Sequence, residues 1–115
     1  MADLVDGRGA THVVDVPNAG AIPGLADDVV VEVAARIDAD GAHPLPVGPL
    51  RADVDALLRT VKDAELLTVK AAVTGDPAAA LLGLVSNPLG PPLAQIDAVW
   101  ARLRELNAGM LGRLG

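Results

Sequence analysis

A chain of 115 residues, 51% of them hydrophobic and with a formal net charge of -6, can form one compact domain and is too apolar to stay disordered. Its acidity, and an aromatic content of one Trp with no Phe or Tyr, argue against nucleic acid, which needs cations for phosphate and flat rings for bases. Zero cysteines exclude disulfides and thiolate chemistry, and no run approaches the roughly 20 apolar residues of a membrane-spanning helix, so a soluble cytoplasmic protein is expected.

Residues 1–10 carry Asp3, Asp6, Gly7, Arg8 and Gly9 without periodicity and read as a flexible N-terminus ahead of a single domain over residues 11–115. His12 to Val16 alternates as a strand, with Val14 and Val16 on one face and Val13 and Asp15 on the other. Pro17 ends it, and Asn18 and Gly20 tolerate the positive φ of a tight reversal. Val29 to Val33 is nearly all apolar and β-branched, which predicts a buried strand that Ala34 to Asp38 extends. Asp38-Ala39-Asp40-Gly41 is a turn signal leading into Ala42 to Val47, and Pro44, Pro46 and Pro49 confine that return to a sheet edge.

From about residue 51 the period becomes helical. Val54, Leu57, Leu58 and Val61 form a stripe that Thr68, Ala71 and Ala72 prolong to about residue 74. Gly75 is the C-terminal cap, and Asp76-Pro77 gives an N-cap and first-turn proline to a second helix over about 77–86. Its residues Ala78 to Val85 show no polar face and predict burial. A third helix over about 92–112 aligns Leu93, Ile96, Trp100 and Leu103, with Gly109 and Gly112 weakening its end. Strands followed by helices imply an α+β fold, a small sheet of short strands over about 12–47 packed against three helices.

Residue chemistry is sparse. His12 and His43 have no partner at the i+3 or i+4 spacing of helical metal motifs, and Asp38 and Asp40 lack the remaining ligands of a calcium loop. The glycines of Gly7-Arg8-Gly9 and of Gly20 to Gly24 do not follow the order that cradles a pyrophosphate. Asp27-Asp28 reads as a solvated edge and Ser86 as a capping residue. The residues alone assign no catalytic, cofactor-binding or metal position.

The stretch VVDVPNAGAIPGLADDVVVEV (Val13 to Val33), with DGAHPLPVGPL (Asp40 to Leu50) and LTVKAAVTGD (Leu67 to Asp76), resembles the C-terminal region of family 4 glycoside hydrolases, the 6-phospho-β-glucosidase type in particular. The resemblance implies part of a lactate/malate-dehydrogenase-like C-terminal domain. It also implies a family reaction that uses NAD and Mn²⁺ to cleave 6-phosphoglycosides. The family's nucleotide fold, metal-holding Cys and His, and Tyr base lie upstream of the matched region, so the implication for this chain alone is a segment that binds neither cofactor and is inactive. The matching loop lies on the family's substrate side, which makes Asn18, Ala19 and Gly20 the candidate substrate-side residues. Family members commonly carry Asn where this chain has Asp15, often Arg in place of Ala19, an aromatic in place of Ala64 and an acid in place of Lys70. The implied partners are a missing N-terminal nucleotide-binding half or further copies of the chain. The alternative expectation is a stand-alone, non-catalytic interaction or ligand-binding module that keeps the fold.

Overall fold

Strand β1 (Ala10–Pro17), strand β2 (Val30–Asp38) and strand β3 (Gly41–Pro44) form an antiparallel sheet in the order β1-β2-β3 in the computed structural model, which describes residues 5–7 and 9–112. Residues 1–4 and 8 of the expected flexible start lie outside the described residues. The chain packs as two compact units, residues 1–51 and residues 52–115.

In the first unit the β1–β2 register sets Val14 opposite Val33 and Val16 opposite Val31. Val31, Val33, Ala35 and Ile37 are buried, joined by Ala21, Ile22 and Val29 from the loop between the strands. The other face carries Val13 opposite Ala34 and Asp15 opposite Glu32, and Val13 is 66% exposed. The apolar run at Val29 predicts burial on both faces of β2, but Val30 is half-exposed and the strand alternates. An antiparallel strand with one solvated face tolerates an exposed β-branched residue because its shape still suits the pleat. The β2–β3 hairpin turns through Ala39 and Asp40, with Gly41 at φ 123° and the Asp40 amide bonded to Asp38 Oδ1 at 3.0 Å.

The second unit contains helix α1 (Ala52–Thr74), helix α2 (Pro77–Ser86), and a 3-10 turn (Leu93–Gln95) leading into helix α3 (Ile96–Leu106). The chemistry between α1 and α2 follows the sequence closely. Gly75, at φ 74°, donates its N–H to Ala71 O at 2.8 Å. Asp76 Oδ1 then accepts from the amides of Ala78 (2.9 Å) and Ala79 (3.2 Å) as N-cap, with Pro77 in the first turn.

Two features differ from expectation. The third helix ends at Leu106, short of residue 112, because Asn107 terminates it: its backbone N–H and its Nδ2 both bond Leu103 O, at 3.1 and 2.8 Å. Helix α2, expected to be buried throughout, buries only Ala79 and Gly83 and leaves Leu82 and Val85 largely exposed. The reason is the size of the residues at the crossing. The α1–α2 contact is made by Ala64 and Ala71 against Ala79 and Gly83, and small residues bring the two backbones together along one narrow line. An ideal Cβ on Gly83 would sit 3.3 Å from Ala64 O and 3.2 Å from Thr68 Oγ1, so the approach is close enough to exclude larger side chains. Leu67 Cβ also lines this approach to Gly83, whereas Leu66, Leu82 and Val85 remain exposed.

Candidate functional site

The loop from Asn18 to Val29 is the most organised irregular segment of the first unit. Asn18 is fully buried. Its Nδ2 donates to Ile22 O and to Leu25 O, each at 3.1 Å, and its Oδ1 accepts from the Ile22 amide at 2.8 Å. Its backbone is fixed as well, the N–H donating to Val29 O (2.8 Å) and the carbonyl accepting from Ala21 N (2.7 Å). One buried side chain thus satisfies three backbone groups that a loop would otherwise have to leave to water.

The loop's shape follows from this peg. Ala19 takes φ 43° and Gly20 φ 82°, both left-handed, and the Ala19 amide reaches Asp27 O at 3.0 Å. A left-handed alanine costs about 1–2 kcal/mol, which the Asn18 bonds must hold in place. Ala19 and Gly20 lie exposed at the tip while Ala21 and Ile22 turn inward, and Val47 N donates to Ala21 O (2.9 Å), tying the segment after β3 to the loop. Of the three candidate substrate-side residues, Ala19 and Gly20 are therefore presented to solvent. Asn18 is withdrawn, with both amide hydrogens committed to loop carbonyls.

The remaining candidates do not gather around this loop. His43 Nε2 lies 2.8 Å from Asp38 Oδ1, and Arg36 pairs with Asp38 Oδ2 at 2.9 Å, forming a cluster at the hairpin end. The His43 hydrogen bond, with the Asp40 amide and the charges of His43 and Arg36 behind it, holds Asp38 below the usual carboxylate range against the opposing pull of desolvation. Asp27 and Asp28 are exposed, and Ser86 Oγ lies 3.4 Å from Gly83 O at the end of α2. Among the described residues no three His, Asp or Glu side chains converge, so the described part of the chain does not fit Mn²⁺ with a ligand set of its own. Nor does it fit NAD. The Asn18 loop joins two antiparallel strands, whereas a dinucleotide loop runs from a strand into a helix N-terminus.

Sequence reading missed the Asp38–His43 pair and the Ala64–Gly83 crossing. The first had a signal, since a two-residue turn at Ala39-Asp40 sets Arg36 opposite His43 and brings Asp38 within reach. The second had a fainter one, in the small residues Ala64, Ala71, Ala79 and Gly83.

Residues 1–90 match the model of the family 4 glycosyl hydrolase C-terminal domain. The chain is 41% identical over 78 residues to a Bacillus subtilis protein named "Probable 6-phospho-beta-glucosidase", covering 68% of this chain and 18% of that protein. It is 30% identical over 107 residues to the 6-phospho-beta-glucosidase BglT of Thermotoga maritima, covering 93% of this chain and 26% of that protein. Among solved structures, it superposes with a TM-score of 0.85 at 28% identity on a 6-phospho-alpha-glucosidase from gut microorganisms in complex with NAD and glucose-6-phosphate, covering 93% of this chain and 24% of that one. The Thermotoga maritima 6-phospho-beta glucosidase with manganese, NAD+ and glucose-6-phosphate gives a TM-score of 0.82 at 30% identity, covering 93% and 26%. The chain thus spans about a quarter of these relatives or less, and it belongs to the family 4 glycosyl hydrolases, as a counterpart of their C-terminal domain.

Proposed function

We propose that this chain serves as the C-terminal part of a 6-phosphoglycosidase, supplying a rigid substrate-side loop and a packing surface to an N-terminal, nucleotide-binding part that carries NAD, Mn²⁺ and the reacting groups. The Asn18-pegged loop carries this reading. Its exposed tip is flanked by backbone that buried Asn18 side-chain bonds hold in place, and fixed geometry is what positioning a substrate requires. In this role Asn18 is a positioning residue, and Ala19 and Gly20 are the residues placed beside the sugar phosphate. The chain by itself performs no hydrolysis, and the assembled protein is cytoplasmic.

The test is complementation. The chain is combined with the nucleotide-binding part of a family 4 relative, and 6-phosphoglucoside cleavage is followed with NAD and Mn²⁺. Activity from the mixture and none from either part supports the proposal, and an inactive mixture whose parts demonstrably associate rejects it.

A specific observation favours the second reading, a stand-alone interaction module. Leu66, Val69 and Val73 lie at i, i+3 and i+7 on α1 and are each about half or more exposed, at 47%, 58% and 66%. Such a stripe covers itself with a partner, and in the absence of the N-terminal part that partner is a second copy. Whether a neighbouring reading frame encodes the nucleotide-binding part distinguishes the two; self-association, which either reading expects of the chain alone, is overturned by a clean monomer in sedimentation velocity at low micromolar concentration.

A further inference from the structure

The second unit holds a cleft of about 300 Å³ between α2 and α3, lined chiefly by Ala80, Leu84, Asn87, Trp100, Leu103 and Arg104. It exists because α2 presents small residues there and α3 does not close over them. Three observations give it chemical character. Trp100 is the chain's one aromatic side chain, half-buried, and forms an apolar wall with Leu84 and Leu103. Arg104 stands one helical turn beyond Trp100, on the same side of α3, and is the one charged residue of the lining. Arg36, Arg59 and Arg102 each pair with a carboxylate, while Arg104 has no acidic partner among the described residues. Asn87 has its Oδ1 occupied by the Leu89 amide at 2.9 Å, which leaves its Nδ2 as a second donor at the rim.

An apolar wall with an aromatic ring, ending in a guanidinium and an amide donor, is complementary to a flat apolar body ending in an anion. We infer that this cleft binds a small aromatic carboxylate, its ring against Trp100 and Leu84 and its carboxylate on Arg104, at a site separate from the Asn18 loop. The volume is at the small end of ligand pockets, which run about 300–1,000 Å³, so the occupant is one ring with a short acidic arm. A guanidinium suits this role better than an ammonium because its fork donates to both carboxylate oxygens at once.

Since Trp100 is the sole tryptophan, its fluorescence reports on the cleft alone. The full chain is titrated with 4-phenylbutyrate and, separately, with 4-phenyl-1-butanol, in the wild type and in Arg104→Gln and Ala80→Leu variants. The expected result is saturable binding of the carboxylate, weakened about tenfold both in the alcohol and in Arg104→Gln, the loss of one charge-assisted contact. Binding is abolished in Ala80→Leu, whose side chain fills the space. No saturation by about 10 mM carboxylate, roughly the limit of a meaningful single-site affinity, overturns the inference. So does equal binding of alcohol and carboxylate, or binding unchanged in Arg104→Gln. Binding that disappears as protein concentration rises shows that a second copy fills the cleft and likewise overturns it. Should Ala80→Leu fail to fold, the Arg104→Gln and alcohol comparisons still decide.

Discussion

Asp15 stands directly opposite Glu32 in the β1–β2 ladder, so two carboxylates share the solvent-facing side of the sheet with no cation between them in the register. Like charges directly opposite in an antiparallel pair are destabilising, each such pairing being worth roughly 0.2–1 kcal/mol. Asp15→Asn keeps the shape and removes the repulsion. The variant is expected to gain about 0.5 kcal/mol in urea unfolding. Because added salt screens exposed charges, the gain should shrink between low salt and 1 M NaCl. A variant no more stable than the wild type at low salt would show that the two carboxylates already splay apart.

Asn18→Ala tests the peg. It deletes three hydrogen bonds and strands the Ile22 N–H and C=O, both buried, together with Leu25 O. At about 1–3 kcal/mol for each unsatisfied buried group, with partial relief from water, a loss of about 2–4 kcal/mol is expected. Asn18→Asp should be at least as harmful at neutral pH, since it replaces a donor with a carboxylate facing two carbonyl oxygens. Such a carboxyl is neutralised more readily than an ordinary one, so its pKa in the fold is raised and its penalty is smallest at acid pH, growing as pH rises. Urea midpoints at pH 4 and pH 7 check both statements, and a loss under 1 kcal/mol in Asn18→Ala would mean that the loop keeps its shape without the side chain.

The same residue shows how far the sequence can be read. Strand, turn and strand were legible from Val14, Val16, Pro17 and Gly20, because period-2 alternation and turn chemistry are local. Asp76 and Gly75 were legible for the same reason. That Asn18 points inward was not, since an Asn in a turn bonds its own backbone in solvent as readily as it does when buried, and only the later return of Ile22 and Leu25 decides the matter. In the helical half, period alone placed α1 and α2, but it predicted that Leu and Val would fill the core. Ala71, Ala79, Gly83 and Ile96, all within the predicted faces, are buried and Ala64 joins them, while Leu57, Leu82 and Val85 stay exposed, because the distance between two helices is set by the residues at their crossing, which one helix's pattern does not contain.

Acid should loosen the first unit through Asp38. Its pKa is depressed in the fold, so its contribution is fully present above the ordinary carboxylate value of about 4 and is lost as pH falls through and below that value. Asp55 behaves alike, its pKa lowered first by the Arg59 hydrogen bond at 2.9 Å. Asp38→Asn does not titrate and should flatten the acid limb of a stability profile taken from pH 5 to pH 2.5, as should Asp55→Asn for the second unit. Profiles parallel to the wild type would show that these pairs dissolve in water before the fold feels them, as many exposed ion pairs do.

Gly83 sets the helix crossing, and its replacement separates two opposing effects. Alanine gains about 1 kcal/mol of helix propensity over glycine. Its Cβ, however, would meet Thr68 Oγ1 at 3.2 Å and both Ala64 O and Leu67 Cβ at 3.3 Å, and the Ala64 carbonyl belongs to a hydrogen-bonded helix that yields little. Thr68 Oγ1 is itself bonded to Ala64 O at 2.9 Å, so the hydroxyl cannot swing aside without losing that contact. Overpacking costs about 1–3 kcal/mol, so Gly83→Ala should fall between neutral and a loss of about 2 kcal/mol. Gly83→Leu gains no more propensity and must push the helices apart, so a loss of more than about 2 kcal/mol is expected. Thermal unfolding followed by circular dichroism measures both. A Leu variant as stable as the Ala variant would place the α1–α2 contact elsewhere than on Gly83, whereas a graded loss fixes it there.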